Sequence, residues 1–297
     1  MDAVVALTHP LNPLSLAEIG AAVAILKDAK SLPSTVRFPI IRLEEPTKAD
    51  LAAHRQGGYL PRRAFLLAMD ISNGETFEGI VDLSKGEVAS YVRLPLNEMP
   101  YGQPPVMLCE FETVEGTVKS DPRWIAAVKK RGITDEDIPL IQIDPFSSGY
   151  FGHDFEKGKR IVRAVSYWRG DVRDNGYAHP VEGVVAVVDL TANKVVDLHD
   201  DEKIIPVPKK KRNYGRESFP ETRPDLKPLH IVQPEGTSFS VDGWKVEWQG
   251  WSFRIGFTPR EGLVIYELGI DDQGRKRPVI FRASVTGGFL FRLGVGA

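Results

Sequence analysis

Residues 246–268, VEWQGWSFRIGFTPREGLVIYEL, read as two β-strands joined by a tight polar turn. Trp248, Trp251, Phe253, Ile255 and Phe257 fall largely at every other position, the side-chain period of a strand. Thr258-Pro259-Arg260-Glu261-Gly262 breaks the run, and Leu263 to Leu268 resumes it. So aromatic a hairpin needs a large apolar partner, yet the chain ends soon after it. What it packs on is the first question the sequence poses.

The 297 residues leave room for two or three domains, and a hydrophobic content of 42 % is ample for packed cores. Lys and Arg number 38 and Asp and Glu 40, well mixed, for a net charge of −2. No basic stripe points to nucleic acid, and no acidic block points to disorder. Cys109 is the only cysteine, so no disulfide forms within the chain and a reducing, cytoplasmic location is expected. The opening MDAVVALTHPLNP is too short in its apolar run for a secretory core. No segment approaches the ~18 apolar residues of a membrane span.

Upstream of the hairpin, the chain divides into modules. Ser15-Leu16-Ala17-Glu18 is a capping box that opens a helix to about Lys30. TVRFPIIRLEE alternates as a strand, and Thr47 to His54 forms a short helix ended by Gly57-Gly58. Asn73-Gly74 predicts a two-residue hairpin between RRAFLLAMDI and TFEGIVDL, and EVASYVRLPL completes a meander. Residues 5–97 are therefore expected to be one small α+β domain. Residues 104–199 repeat the plan: two helical stretches, the strand IPLIQID, then KRIVRAVSYWRG, VEGVVAVVDL and KVVDLHD. Val81-Asp82-Leu83 in the first unit matches Val188-Asp189-Leu190 in the second, each followed by a turn and a valine, which suggests duplication. Residues 200–232, rich in charge and proline, read as a surface linker. Residues 233–297 read as the first strands of an all-β unit. The fold class is α+β.

Little of the chemistry is local. His9, His54, His153, His179, His199 and His230 form no His-x-His, no HExxH and no pairing with cysteine. His153-Asp154 and His199-Asp200-Asp201 are expected in solvated turns, and Cys109 as a small core residue of an apolar helix. PKKKR reads as a solvated basic run rather than an anionic-surface patch. No phosphate loop, nucleophile elbow or CxxC pair is present.

Four phrases in order, HPLNPLSLAEI, YAHPVEGVVAVVDL (177–190), IVQPEGTSFSVDGWKVEWQGWSFRIGFTPREGLVIYEL (231–268) and RPVIFRASVT (277–286), resemble the copper amine oxidases, the topaquinone-dependent primary amine oxidases. The resemblance implies two related small α+β domains, a linker and a large catalytic β-sandwich, and makes the aromatic hairpin the first strands of that sandwich. It also implies oxidation of a primary amine to an aldehyde, with ammonia and hydrogen peroxide released, in a homodimer. In the family, copper held by three histidines and a topaquinone made from an Asn-Tyr-(Asp/Glu)-Tyr tyrosine are the cofactors, and an aspartate is the base.

None of those residues is found in this sequence. The only Asn-Tyr is Asn213-Tyr214, followed by Gly215-Arg216, and after Thr286 the sequence GGFLFRLGVGA departs from the family pattern. A truncated, inactive N-terminal portion, with no catalytic and no metal residue and no cofactor of its own, is therefore expected. The alternative is a non-catalytic binding or scaffold module. Such a module should end near residue 205, whereas this chain runs on into the sandwich. The resemblance carries over four residues at the mouth of the amine channel: Phe111, Pro145, Phe146 and Tyr177. Ordinary packing is the other reading of each.

Overall fold

The computed structural model of the protein describes residues 9–96, 103–147, 149–210, 213–219, 221 and 223–285. The divergent tail after Thr286 lies outside the described residues.

The first module runs α1 (Leu16–Lys30), β1 (Val36–Leu43), α2 (Lys48–Arg55), β2 (Arg63–Asp70), β3 (Thr76–Asp82) and β4 (Glu87–Arg93), with its strands side by side in chain order. The Ser15 capping box is present. The Ser15 hydroxyl accepts from Glu18 N–H at 3.2 Å, and the Glu18 carboxylate accepts from Ser15 N–H at 2.7 Å. Ala22 and Leu26 on one face of α1 are buried against Ala64, Leu66 and Val81 of the sheet.

The second module has the same four-stranded sheet order, but both of its long helices come first: α3 (Leu108–Lys119), α4 (Pro122–Lys130), β5 (Gln142–Phe146), β6 (Ile161–Tyr167), β7 (Pro180–Asp189) and β8 (Lys194–Asp200). The likeness of the two modules extends to their hydrogen bonds. Asp82 Oδ1 accepts from the N–H groups of Ser84 and Lys85, and Asp189 Oδ1 from those of Thr191 and Ala192. Each aspartate thus closes the same turn after the third strand. Leu83 N–H donates to Arg62 O, and Leu190 N–H to Arg160 O, both at 2.8 Å.

The third sheet is open and antiparallel, in the order β13 (Arg275–Ser284), β12 (Gly262–Asp272), β11 (Trp251–Thr258), β10 (Lys245–Trp248), β9 (Phe239–Asp242). The stretch expected as one strand up to Phe257 is two. Gln249 and Gly250, with φ of 49° and 83°, form a two-residue turn that sets Trp248 opposite Trp251.

The chain forms two compact units. One draws on Met1–Ala68, Phe77–Val92 and His230–Ala297, the other on Met69–Thr76 and Arg93–Leu229. Within the first, the hairpin finds its partner. Val264 and Tyr266 of β12 are buried with Leu11 and with Leu51 of α2, and Leu60 and Phe281 flank them. Beside this patch Glu45 accepts from Tyr266 Oη at 2.7 Å and from Arg282 Nε at 2.7 Å. Phe239, Trp244, Trp248 and Phe257 remain exposed.

Other expectations need correction. Asn73-Gly74 does not make a two-residue hairpin: Asp70 N–H pairs with Glu75 O across a longer loop. Asp70 Oδ1 captures Ser72 N–H, and Asn73 Oδ1 captures Glu75 N–H, which diverts the chain from the tight turn. Cys109 is exposed, because the buried stripe of α3 is Glu110, Val114 and Val118. His199 and Asp200 lie on β8, not in a turn, and Asp200 pairs with Lys130 and Arg131. The segment after β8 is anchored at its start. Val207 joins the second core, its N–H donates to Arg131 O at 3.0 Å, and Lys209 pairs with Asp137 at 2.6 Å.

Candidate functional site

The four channel-mouth candidates lie in the second module. Phe111 sits in the first turn of α3, and its ring is 40 % exposed. What fixes that turn is Glu110, whose Oε2 accepts from Met107 N–H at 2.7 Å. Arg160, buried at the start of β6, holds the same carboxylate with Nε at 2.6 Å and Nη2 at 2.7 Å. Its remaining donors reach the carbonyls of Pro104 and Pro105. The chain entering α3 is thereby tied down.

On β5 the alternation of a strand sorts the residues. Gln142, Asp144 and Phe146 share the half-buried face, while Ile143 and Pro145 are buried on the other. Tyr177 lies in a short 3-10 turn, Gly176–Ala178, whose start is capped by Asn175 Oδ1 accepting from Tyr177 N–H at 2.9 Å. Gly176 has no room for a side chain, since a Cβ there would stand 3.0 Å from Tyr167 Cβ. The exposed Tyr177 ring meets Tyr167 edge-on at 5.0 Å.

The sequence reading missed Asp144, which centres this group. Its carboxylate accepts from Tyr177 Oη and from Gln142 Nε2, the latter at 2.9 Å. That hydrogen bond, with some burial, pushes the Tyr177 phenol above the ordinary tyrosine value. Tyr167 is raised as well, by burial and by the same carboxylate. Both named partners of Asp144 are neutral. By contrast Glu110, Glu156, Asp137 and Asp200 of this unit are all paired with Arg or Lys. The structure therefore brings Tyr177 to Asp144 on the face that carries Phe146, and turns Pro145 toward the core side.

Comparison with known proteins fits the order of the modules. The AGAO-like N2 domain of copper amine oxidases matches residues 16–91, their N3 domain residues 109–218, and their enzyme domain residues 240–289. A primary amine oxidase of Arthrobacter sp. (strain P1) is 47 % identical over 285 residues, 96 % of this chain and 42 % of the relative. The chain belongs to the copper amine oxidase family. It carries that family's N-terminal domains and part of its enzyme domain. The histamine oxidase of Arthrobacter globiformis is 38 % identical, over 94 % of this chain and 40 % of its own length. The crystal structure of a copper-containing benzylamine oxidase from Hansenula polymorpha superimposes with a TM-score of 0.73 at 26 % identity, covering 93 % of this chain and 44 % of that one. The chain thus spans less than half the length of these amine oxidases.

Among the described residues no three His, Cys, Asp or Glu side chains converge as metal ligands. His179 instead turns Nδ1 to Pro208 O at 2.6 Å and packs edge-on against Trp168. This donor set does not fit a copper centre. Among the described residues no helix is long and apolar enough to cross a membrane.

Proposed function

We propose that this chain is the N-terminal, non-catalytic portion of a topaquinone-dependent primary amine oxidase, which converts a primary amine, dioxygen and water to aldehyde, ammonia and hydrogen peroxide. The observation that carries the reading is the ordered succession of the family's N2, N3 and enzyme domains, with the last matched only over residues 240–289. In this reading copper, quinone and base belong to the rest of the enzyme domain, and the homodimer to the complete enzyme. The second module supplies part of the mouth through which the amine enters, with Phe111, Phe146 and Tyr177 presented there and Pro145 supporting β5 from behind. A negative Asp144 beside the tyrosine rings suits a cationic substrate.

The test is complementation. The chain with Cu(II), air and benzylamine should release no peroxide. Adding a polypeptide carrying the remainder of the Arthrobacter relative's enzyme domain should give peroxide that phenylhydrazine abolishes. Phenylhydrazine-sensitive peroxide from the chain alone would overturn the assignment.

A further inference from the structure

The sheet that begins the enzyme domain borders a cavity of about 720 Å³ with an unusual charge. Lys48 and Arg55 reach it from α2, Lys245 and Arg254 from β10 and β11, and Lys276 from β13. Among the described residues the only carboxylate in its wall is that of Glu267, leaving a formal excess of four positive charges there in a chain whose net charge is −2. That carboxylate is already engaged: it pairs with Arg55 and stands 3.5 Å from His9 Nε2. Lys245 pairs with Glu247, whereas Lys48, Arg254 and Lys276 enter none of the ion pairs found among the described residues.

The arrangement is costly without a ligand. Lys245 and Arg254 are direct cross-strand partners, and like charges so placed repel. Arg254 is half-buried, and its hydrogen-bonded side-chain partner is the neutral Asn12 Oδ1, at 2.9 Å. Glu267 and Asp242 lie near enough to favour its charge, but among the described residues no carboxylate hydrogen-bonds to this half-buried guanidinium, so its compensation is incomplete. Glu267 has φ of 51°, a left-handed conformation in a non-glycine strand residue, next to a register shift between Leu268 and Gly269. Strained bulges of this kind re-aim side chains at sites where something binds. The rest of the wall is apolar, with Phe253, Pro278 and Phe281.

We infer that this cavity is an anion site that takes an organic carboxylate with an apolar body: its carboxylate meets Arg254 and Lys276, and its body lies on Phe253 and Phe281. The assignment stands apart from the amine-oxidising reading, because it uses no residue of the channel mouth.

Titration of the full chain with phenylacetate, followed by calorimetry, tests it, with inorganic phosphate as the comparison anion. Saturable phenylacetate binding that weakens with salt and exceeds that of phosphate is expected. Arg254→Gln and Lys276→Gln should each weaken it by about tenfold, the worth of one charge-assisted contact. Glu267→Gln should tighten it, a gain that a damaged fold cannot deliver. Absence of saturable binding, phosphate bound as well as phenylacetate, or no gain in Glu267→Gln would each overturn the proposal. Displacement of phenylacetate by the added enzyme-domain polypeptide would overturn it too, assigning the cations to an acidic segment of that domain.

Discussion

Arg160 and Glu110 form a bidentate pair with contacts of 2.6 and 2.7 Å, and the first module builds the same clasp from Arg62 and Glu18 at 2.7 and 3.2 Å. In each case the carboxylate is the N3 residue of the module's first helix. The arginine, at or just before the second strand, also holds carbonyls of the proline-rich approach: Pro10, Asn12 and Pro13 in one, Pro104 and Pro105 in the other. Breaking a buried pair by removing one partner strands the other charge. Arg160→Leu should therefore cost the second module about 3–5 kcal/mol in denaturant unfolding, and the double variant with Glu110→Leu should recover part of it. Arg62→Leu should cost less, since that clasp is more exposed to water. Equal losses for the single and double variants at Arg160 would show that the pair is not coupled.

The Asp144–Tyr177 contact makes a prediction about titration. Because the carboxylate raises the phenol, Asp144→Asn should bring the Tyr177 transition down toward the ordinary tyrosine value. Ultraviolet titration against a Tyr177→Phe reference isolates that transition. An unmoved transition would remove Asp144 from the site.

How much of this was legible in the sequence depends on the distance between partners. Ser15 and Glu18 are three residues apart, and the Asp82 and Asp189 turns are local, so motif and repeat were both readable. The Arg160–Glu110 clasp spans 50 residues, and Asp144 meets Tyr177 only after the sheet has formed. Nothing local marks such pairs. The turn at Gln249-Gly250 was hidden because tryptophans on both sides prolong the appearance of one aromatic strand. The Asn73-Gly74 motif misled because Asp70 competes for the backbone donors of the turn.

Acid stability should fall in defined windows. Pairing with His9 and Arg55 outweighs burial to hold Glu267 at about 2 instead of 4.5. Burial alone would raise Asp137, but Lys209, Thr134 and the Trp168 indole outweigh it and hold the group at about 2 instead of 3.8. A carboxylate whose value is lowered on folding stabilises above its unfolded value, and that stability drains as pH falls toward the folded one. Unfolding free energy should therefore decline between pH 4.5 and about 2 from Glu267, and between 3.8 and about 2 from Asp137. Lys209→Gln should flatten only the second component, measured by urea unfolding across that range.

Limited proteolysis should distinguish the two halves of the segment after β8. Up to Lys209 it is held by Val207, Pro208 and the Lys209–Asp137 pair, and Asn213 reaches back to Asp174 at 3.3 Å. From Arg223 to Ser238 every residue is exposed. Thermolysin should therefore cut before Ile231 or Val232 sooner than at the Lys203–Ile204 bond. Early cleavage at Lys203 would mean that the anchor does not hold.

The aromatic hairpin leads to the last expectation. It is not an orphaned edge, because β12 covers Leu11 and Leu51, and Glu45 is held by Tyr266 and Arg282. Ending the chain at residue 229 would strip Leu51 of that cover and leave the Glu45 carboxylate without either partner. Loss of a buried leucine's packing is worth about 2–5 kcal/mol, most of what holds so short a helix in place. Hydrogen exchange at the amides of α2 should accordingly accelerate in the shortened chain, while those of α3 and α4, whose core draws only on residues up to Val207, keep their protection. Leu51→Ala in the full chain should reproduce part of the acceleration. Unchanged exchange in α2 after the truncation would show that the first module is self-sufficient and that the third sheet only rests against it.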